Sequence, residues 1–383
     1  MAEPEKAQSS PRRPLLAALA VIFAAVTAPV IAQAQAPATF TVRNVNVDQT
    51  AETAAQAREA ARSQGQQLAF HRLLERLVPR DYRHQLPTLS PSEISDLVVN
   101  FEVQTERASA VRYIATLTYR FSPDGIRAVL RRAEVPFAET IARPLVVIPL
   151  FREGGAPVLW DQSNAWLDAW RGLTLSDGLQ PLVVPLGDLS DMGMIDADRA
   201  AANDIGRFEA MAKRYGAGGV LVTEATMVQT ASGPMLQVAA TRFDAGVPGH
   251  TLVGSYAPDV SESEKSLFAR AAGQTALAVE ERWKSDIALR SGQEASLVAN
   301  VSYKDLAEWV DVRQRLADTA VVRKTEIVSL SRGGARIELR YVGSPSALRL
   351  ALAQKDLVLA QDGDVWALSR RQADADGNSD TGG

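Results

Sequence analysis

Apolar and polar residues alternate along Phe40-Thr41-Val42-Arg43-Asn44-Val45-Asn46-Val47, which is the period of a half-buried strand. The spacing then becomes helical. Ala57, Ala61, Leu68, Leu73, Leu74 and Leu77 predict a helix over about 52–77 that stops ahead of Pro79. After a polar stretch around Pro87 and Pro91, residues 97–103 and 111–119 read as an antiparallel hairpin, and 123–133 as a closing helix. Together they predict a small α+β domain over 39–140.

A second block, 143–288, opens with the continuous apolar run Leu145-Val146-Val147-Ile148-Pro149-Leu150-Phe151, typical of a strand buried on both faces. A Gly154-Gly155 turn, a short helix around Trp166, a second buried strand at 181–185, a helix at 204–215 and a strand at 220–225 follow. Strands at 236–242 and 251–256, turned at 245–249, and a long helix over 262–284 complete an α/β sandwich. A third block, 296–370, reads strand (297–301), helix (304–316), a hairpin (321–330 and 335–341, turned at Gly333-Gly334), and a helix opened by Ser344-Pro345. Strands at 357–359 and 365–368, broken at Asp362-Gly363, finish it. A ferredoxin-like βαββαβ domain is expected there. The fold class is thus multidomain, α+β and α/β. The polar, Gly- and Asp-rich tail, 372–383, is expected to be disordered.

The first 34 residues belong to none of these blocks. Arg12 and Arg13 precede an apolar run over 15–28, Pro29 interrupts it, and Ala32-Gln33-Ala34 offers small residues where a signal peptidase needs them. A cleavable export signal cut after Ala34 is expected. The run is shorter than the roughly 20 residues that span a bilayer, and no later segment is apolar enough for a stable membrane span. The 383 residues include no Cys, which removes disulfides, thiolate metal sites and lipidation at the signal together. A net charge of −4, with acids and bases interspersed, gives nothing that attracts nucleic acid.

Gly65-Gln66, Ala69-Phe70, Leu73, Arg76-Leu77, the stretch 113–121, the run Arg143-Pro144-Leu145-Val146-Val147-Ile148-Pro149-Leu150 and Leu159-Trp160-Asp161-Gln162-Ser163-Asn164-Ala165-Trp166 resemble an exported proteobacterial family. That family is known only as domain of unknown function two-thousand-sixty-six. The resemblance covers most of the chain after Ala34. It implies a periplasmic protein of the Gram-negative cell envelope, and brings no activity, cofactor or catalytic residue. The second block, with Lys213-Arg214-Tyr215-Gly216-Ala217-Gly218-Gly219-Val220-Leu221-Val222, is similar in pattern to the α/β domains of the translocation protein TolB and of curli-secretion and peptidoglycan-synthase-activator lipoproteins. Those are interaction modules.

Candidate chemistry is sparse. His71, His84 and His250 are scattered, no G-x-S-x-G elbow or Walker loop occurs, and no cofactor or metal site is expected. Gly216-Ala217-Gly218-Gly219 follows a helix and precedes a strand, so it reads as a helix C-cap and turn rather than a phosphate loop. Asp188, Asp191, Asp196 and Asp198 fit no calcium-loop spacing, Asp196 is equally placed to cap a helix, and Asp374, Asp376, Asn378 and Asp380 read as a solvated end. The most unusual local feature is Trp160, Trp166 and Trp170 with Asp161 and Asn164 between them. Trp166 and Trp170 share a helix face and read as core. Trp160, beside the loop leaving the first buried strand, is a candidate recognition residue with Asp161 and Asn164.

Three readings stay open. One is a non-enzymatic interaction module of the cell envelope; the second is a binder of an envelope glycan or small ligand at the Trp160 region; the third is a hydrolase relying on two carboxylates alone.

Overall fold

The computed structural model describes residues 38–152, 155–160, 164–174, 177–244, 249–288, 294–363 and 365–371. The expected export signal, Asp161, most of the 245–249 turn and the tail lie outside these residues.

The first block builds β1 (Thr41–Thr50), α1 (Ala54–Leu77), α2 (Pro91–Leu97), β2 (Val98–Ala108), β3 (Arg112–Phe121) and α3 (Pro123–Arg132). Thr53 caps α1 by accepting the Gln56 N–H at 3.2 Å. The helix ends at Val78, just ahead of Pro79. β3 lies between β1 and β2, antiparallel to both. Its Tyr113, Ala115, Leu117, Tyr119 and Phe121 alternate onto the buried face. α2 lies in the stretch read as a polar connection; Ser90 and Glu93 form a reciprocal capping box at its start.

The second block contributes β4 (Leu145–Arg152), α4 (Ala165–Arg171), β5 (Leu182–Val183), α5 (Leu189–Met194), α6 (Ala197–Ala201), α7 (Ile205–Arg214), β6 (Gly219–Thr230), β7 (Gly233–Asp244), β8 (Thr251–Tyr256) and α8 (Glu264–Ile287). The sheet order is β5-β4-β6-β7-β8, with β4 parallel to β5 and β6 and the remaining pairs antiparallel. β4 is covered on both faces. Val147 and Phe151 pack with Trp166, Trp170 and Phe268, while Val146, Ile148 and Leu150 pack with Phe208 and Met211. β5 is shorter than the expected strand because Pro181 and Pro185, which lack N–H donors, flank it.

The third block runs β9 (Glu294–Ser302), α9 (Leu306–Ala317), β10 (Val322–Leu330), β11 (Gly334–Val342), α10 (Pro345–Ala353), β12 (Leu357–Asp362) and β13 (Val365–Arg370), in the order β10-β11-β9-β13-β12. This departs from a ferredoxin-like sheet closed by one strand. β12 folds straight back through Gly363, at φ +58°, so that β13 inserts beside β9 and runs parallel to it, leaving β12 at the edge.

Buried side chains of the first and third blocks merge into one cluster. The second block is tied to both. Arg83 meets Glu281 at 2.7 Å, the Trp283 indole donates to the Thr140 carbonyl at 3.0 Å, and Arg143 pairs with Asp356 while its N–H donates to Gln354 at 2.6 Å. No described helix is long and apolar enough to cross a membrane.

Candidate interaction surface

The tryptophan-rich segment is largely interior. Asn164 is buried and caps α4: its Oδ1 accepts the Leu167 N–H at 3.0 Å, and its Nδ2 donates to the carbonyls of Leu159 and Pro149 at 2.7 and 3.0 Å. Trp166 is buried with its indole N–H donated to the Thr223 carbonyl at 2.9 Å, and Trp170 packs edge-on against it, ring centroids 5.7 Å apart. Trp160 is half-buried and spends its indole N–H on the Ile195 carbonyl at 2.8 Å. The structure therefore brings Asn164, Trp166 and Trp170 together as buried residues: the two tryptophans are core, which is one reading of their shared helix face, Asn164 is a cap inside the fold rather than an exposed contact, and Trp160 packs at the rim. Asp161 lies outside the described residues.

The acidic loop is also structural. Asp188 caps α5 by accepting the N–H groups of Ser190 and Asp191 at 2.9 Å, and Asp196 caps α6 through Arg199 N–H at 2.8 Å. Asp191 is fully buried, its Oδ2 accepting from Gly187 N–H and the Tyr215 hydroxyl, both at 2.8 Å. Gly216, at φ +60°, ends α7, with the Ala217 N–H bonded back to the Ala212 carbonyl at 2.8 Å. Among the described residues no group of His, Asp or Glu side chains converges to hold a metal.

Three clefts approach ligand size, and one of them, about 560 Å³, is a surface hollow across β1, β3 and β2 whose acids Asp48 and Glu106 are held by Arg112 at 2.6 Å and Arg58 at 3.3 Å. Another, of about 380 Å³, lies along α8, where the Glu280 carboxylate accepts the N–H groups of Leu179 and Gln180 at 2.8 and 2.7 Å. The third, about 400 Å³, lies between the first and third blocks, where Arg127 holds Glu139 at 2.7 Å. Glu280 is committed to two main-chain donors and Glu139 to Arg127 through one of its oxygens, and the second acid of the latter cleft, Asp318, accepts from Gln314 at 3.1 Å.

The feature that stands out is β2. α1 packs on β1 and β3 and reaches β2 through Arg58, 3.3 Å from Glu106, without covering it, so every residue from Val99 to Ala108 is exposed. Apolar side chains are among them: Val99 is 62% exposed, Phe101 39% and Val103 45%. Phe101 stacks on Tyr119 at 5.9 Å, which fixes one of its faces and leaves the other to solvent. Glu102 reaches Arg120 at 2.8 Å, and Glu106 accepts the Tyr113 hydroxyl at 2.7 Å. As the outermost strand of its sheet, β2 leaves one side of its backbone without a ladder partner.

Residues 40–139 match a domain of unknown function (DUF8605). The matched segment holds β1 to β3 and α1 to α3, and so contains the free edge. The match is not to the family the sequence resembles, and it shows no link to that family or to TolB-like domains. No curated protein matches the chain.

β10 is the other long edge with exposed apolar residues, Ile327, Val328 and Leu330. It is guarded at its start by Arg323 and by the ion pair of Lys324 with Glu326, the charged studding that keeps edges unpaired. Sequence patterning misses β2 as a surface because alternation of Val99, Phe101 and Val103 looks the same whether or not a helix covers them.

Proposed function

We propose that this protein is an exported, non-enzymatic interaction module of the Gram-negative cell envelope, periplasmic in location, that engages a protein partner by strand addition at the free edge of β2. The observation that carries this reading is the run of exposed residues from Val99 to Ala108, apolar at three positions, on a strand with an unpartnered backbone edge. Monomeric proteins blunt such edges or cover them, because main-chain donors and acceptors beside apolar side chains recruit another strand. Export is supported by the basic pair, apolar run and small residues before Gln35.

Two measurements test it. Expressed in a Gram-negative host, the protein recovered from the periplasm should have an intact mass beginning at Gln35; retention of Met1 in the cytoplasm overturns the address. A photo-crosslinking residue at position 99 should yield a discrete adduct that the same residue at the exposed Leu189 does not. Equal labelling from both positions removes β2 as the contact surface.

A further inference from the structure

β2 carries one more residue than β3 at two places, at Val99 near its start, where the pairing shifts between Val98 and Asn100, and at the mid-strand bulge at Gln104, where it shifts between Val103 and Thr105. Directly paired residues of an antiparallel ladder share a face. Phe101, Val103, Glu106 and Ala108, opposite Tyr119, Leu117, Ala115 and Tyr113, therefore take the α1 side. Glu102, Thr105 and Arg107, opposite Thr118, Thr116 and Ile114, take the other side, as does Gln104, whose amide donates to the Thr118 hydroxyl at 2.9 Å. From Phe101 to Ala108 the faces run in, out, in, out, out, in, out, in. That order is a palindrome about the bond between Gln104 and Thr105.

A regular extended peptide alternates without interruption and loses face matching when it crosses the bulge. A second β2, running antiparallel with its own bulge opposite, matches at all eight positions. The same register sets Glu102 against Arg107, twice by symmetry. Arg107 is exposed and has no ion pair among the described residues, and Glu102, its side chain 57% exposed, has room for a cation besides Arg120. A register centred on Glu102 would instead oppose that carboxylate to its own copy, which like-charge repulsion disfavours.

We propose that the free edge of β2 pairs antiparallel with β2 of a second copy of this chain, bulge facing bulge, with Glu102 of each copy opposite Arg107 of the other. This rests on β2 being the contact surface and names its occupant.

Sedimentation equilibrium of the full chain should show a monomer–dimer equilibrium. Glu102→Arg or Arg107→Glu alone should weaken it about tenfold or more, and the double reversal should restore it. Circular dichroism establishes that each variant is folded. Because the chain has no Cys, Thr105→Cys places a lone thiol beside the two-fold axis. Mild oxidation should link that variant covalently into dimers, whereas Val253→Cys on the β8 edge should not cross-link. A chain that is monomeric throughout and does not cross-link at position 105 overturns the proposal, as does a dimer indifferent to both reversals. If self-pairing fails while position 99 still crosslinks to another protein, β2 survives as a contact surface with a different occupant; if both fail, both readings fall.

Discussion

Gly65 of α1 faces the Tyr119 hydroxyl of β3 so closely that a methyl group at Gly65 would stand 2.5 Å from that oxygen. The phenol is buried and donates to the Arg62 carbonyl at 3.0 Å, so it pins the helix to the sheet one turn before the glycine. Gly65→Ala gains about 1 kcal/mol of helix propensity but incurs overpacking of about 1–3 kcal/mol. The clash should win, lowering stability by about 1 kcal/mol in urea unfolding. Tyr119→Phe removes the atom in the way, leaving ring carbons at 3.2 Å. The double variant should therefore be less destabilised than the sum of the singles by at least about 0.5 kcal/mol. Simple additivity would show that helix and strand do not meet here.

The same phenol makes the fold alkali-sensitive. Burial pushes the Tyr119 pKa from its ordinary value of 10.0 up to about 12. A folded pKa above the unfolded one means that the native state holds the proton longer. Stability is unaffected below pH 10 and falls as pH rises from 10 to 12, by an amount on the order of 2 kcal/mol. Unfolding midpoints between pH 9 and 12 should drop more steeply for the wild type than for Tyr119→Phe. Parallel slopes would assign the loss to other groups.

Much of this architecture is legible in the residues because local signals agree with long-range packing. The continuous apolar run 145–151 is a strand buried on both faces, Ser344-Pro345 opens α10, and the glycines after Tyr215 cap α7. α2 is equally signalled by Ser90-Pro91-Ser92-Glu93, but its seven residues include too few apolar ones for a period to emerge. The insertion of β13 beside β9 depends on contacts some seventy residues apart, which no local pattern encodes. Helical spacing puts Trp166 and Trp170 on one face without saying whether that face meets a sheet. Nor does anything mark the bulge at Gln104, since neither Gly nor Pro occurs there.

The tryptophan segment should respond to mutation as core does. Trp166→Ala is expected to cost about 3–5 kcal/mol and Asn164→Ala about 1–3 kcal/mol, since the latter strands the Leu167 N–H and two carbonyls. Trp160→Ala, at a half-buried position, should cost about 2 kcal/mol. Urea titrations of the three variants measure this directly. If Trp160→Ala changed stability by less than about 0.5 kcal/mol, packing would not explain its position and a recognition role there would regain support.

Glu280 offers the sharpest test of whether the cleft along α8 is chemical or structural. Its two carboxylate oxygens separately accept the N–H groups of Leu179 and Gln180, and a methyl group on Gly178 would stand 2.6 Å from one of them. The loop is thus folded around an anion, and Glu280→Gln turns an amide group toward one of the two donors. The loss should be about 2 kcal/mol, because one buried N–H is left without an acceptor. The effect should extend to Lys284, which burial holds below its usual pKa while Glu281 and Glu280 draw it upward. Removing the Glu280 charge should depress Lys284 further, a shift that an NMR titration of its side chain reads. Gly178→Ala should weaken the same loop while keeping the charge, and so should destabilise without the same electrostatic loss at Lys284. If Glu280→Gln left both stability and the Lys284 titration unchanged, the carboxylate would be free of structural duty, and a catalytic role for it would have to be reopened.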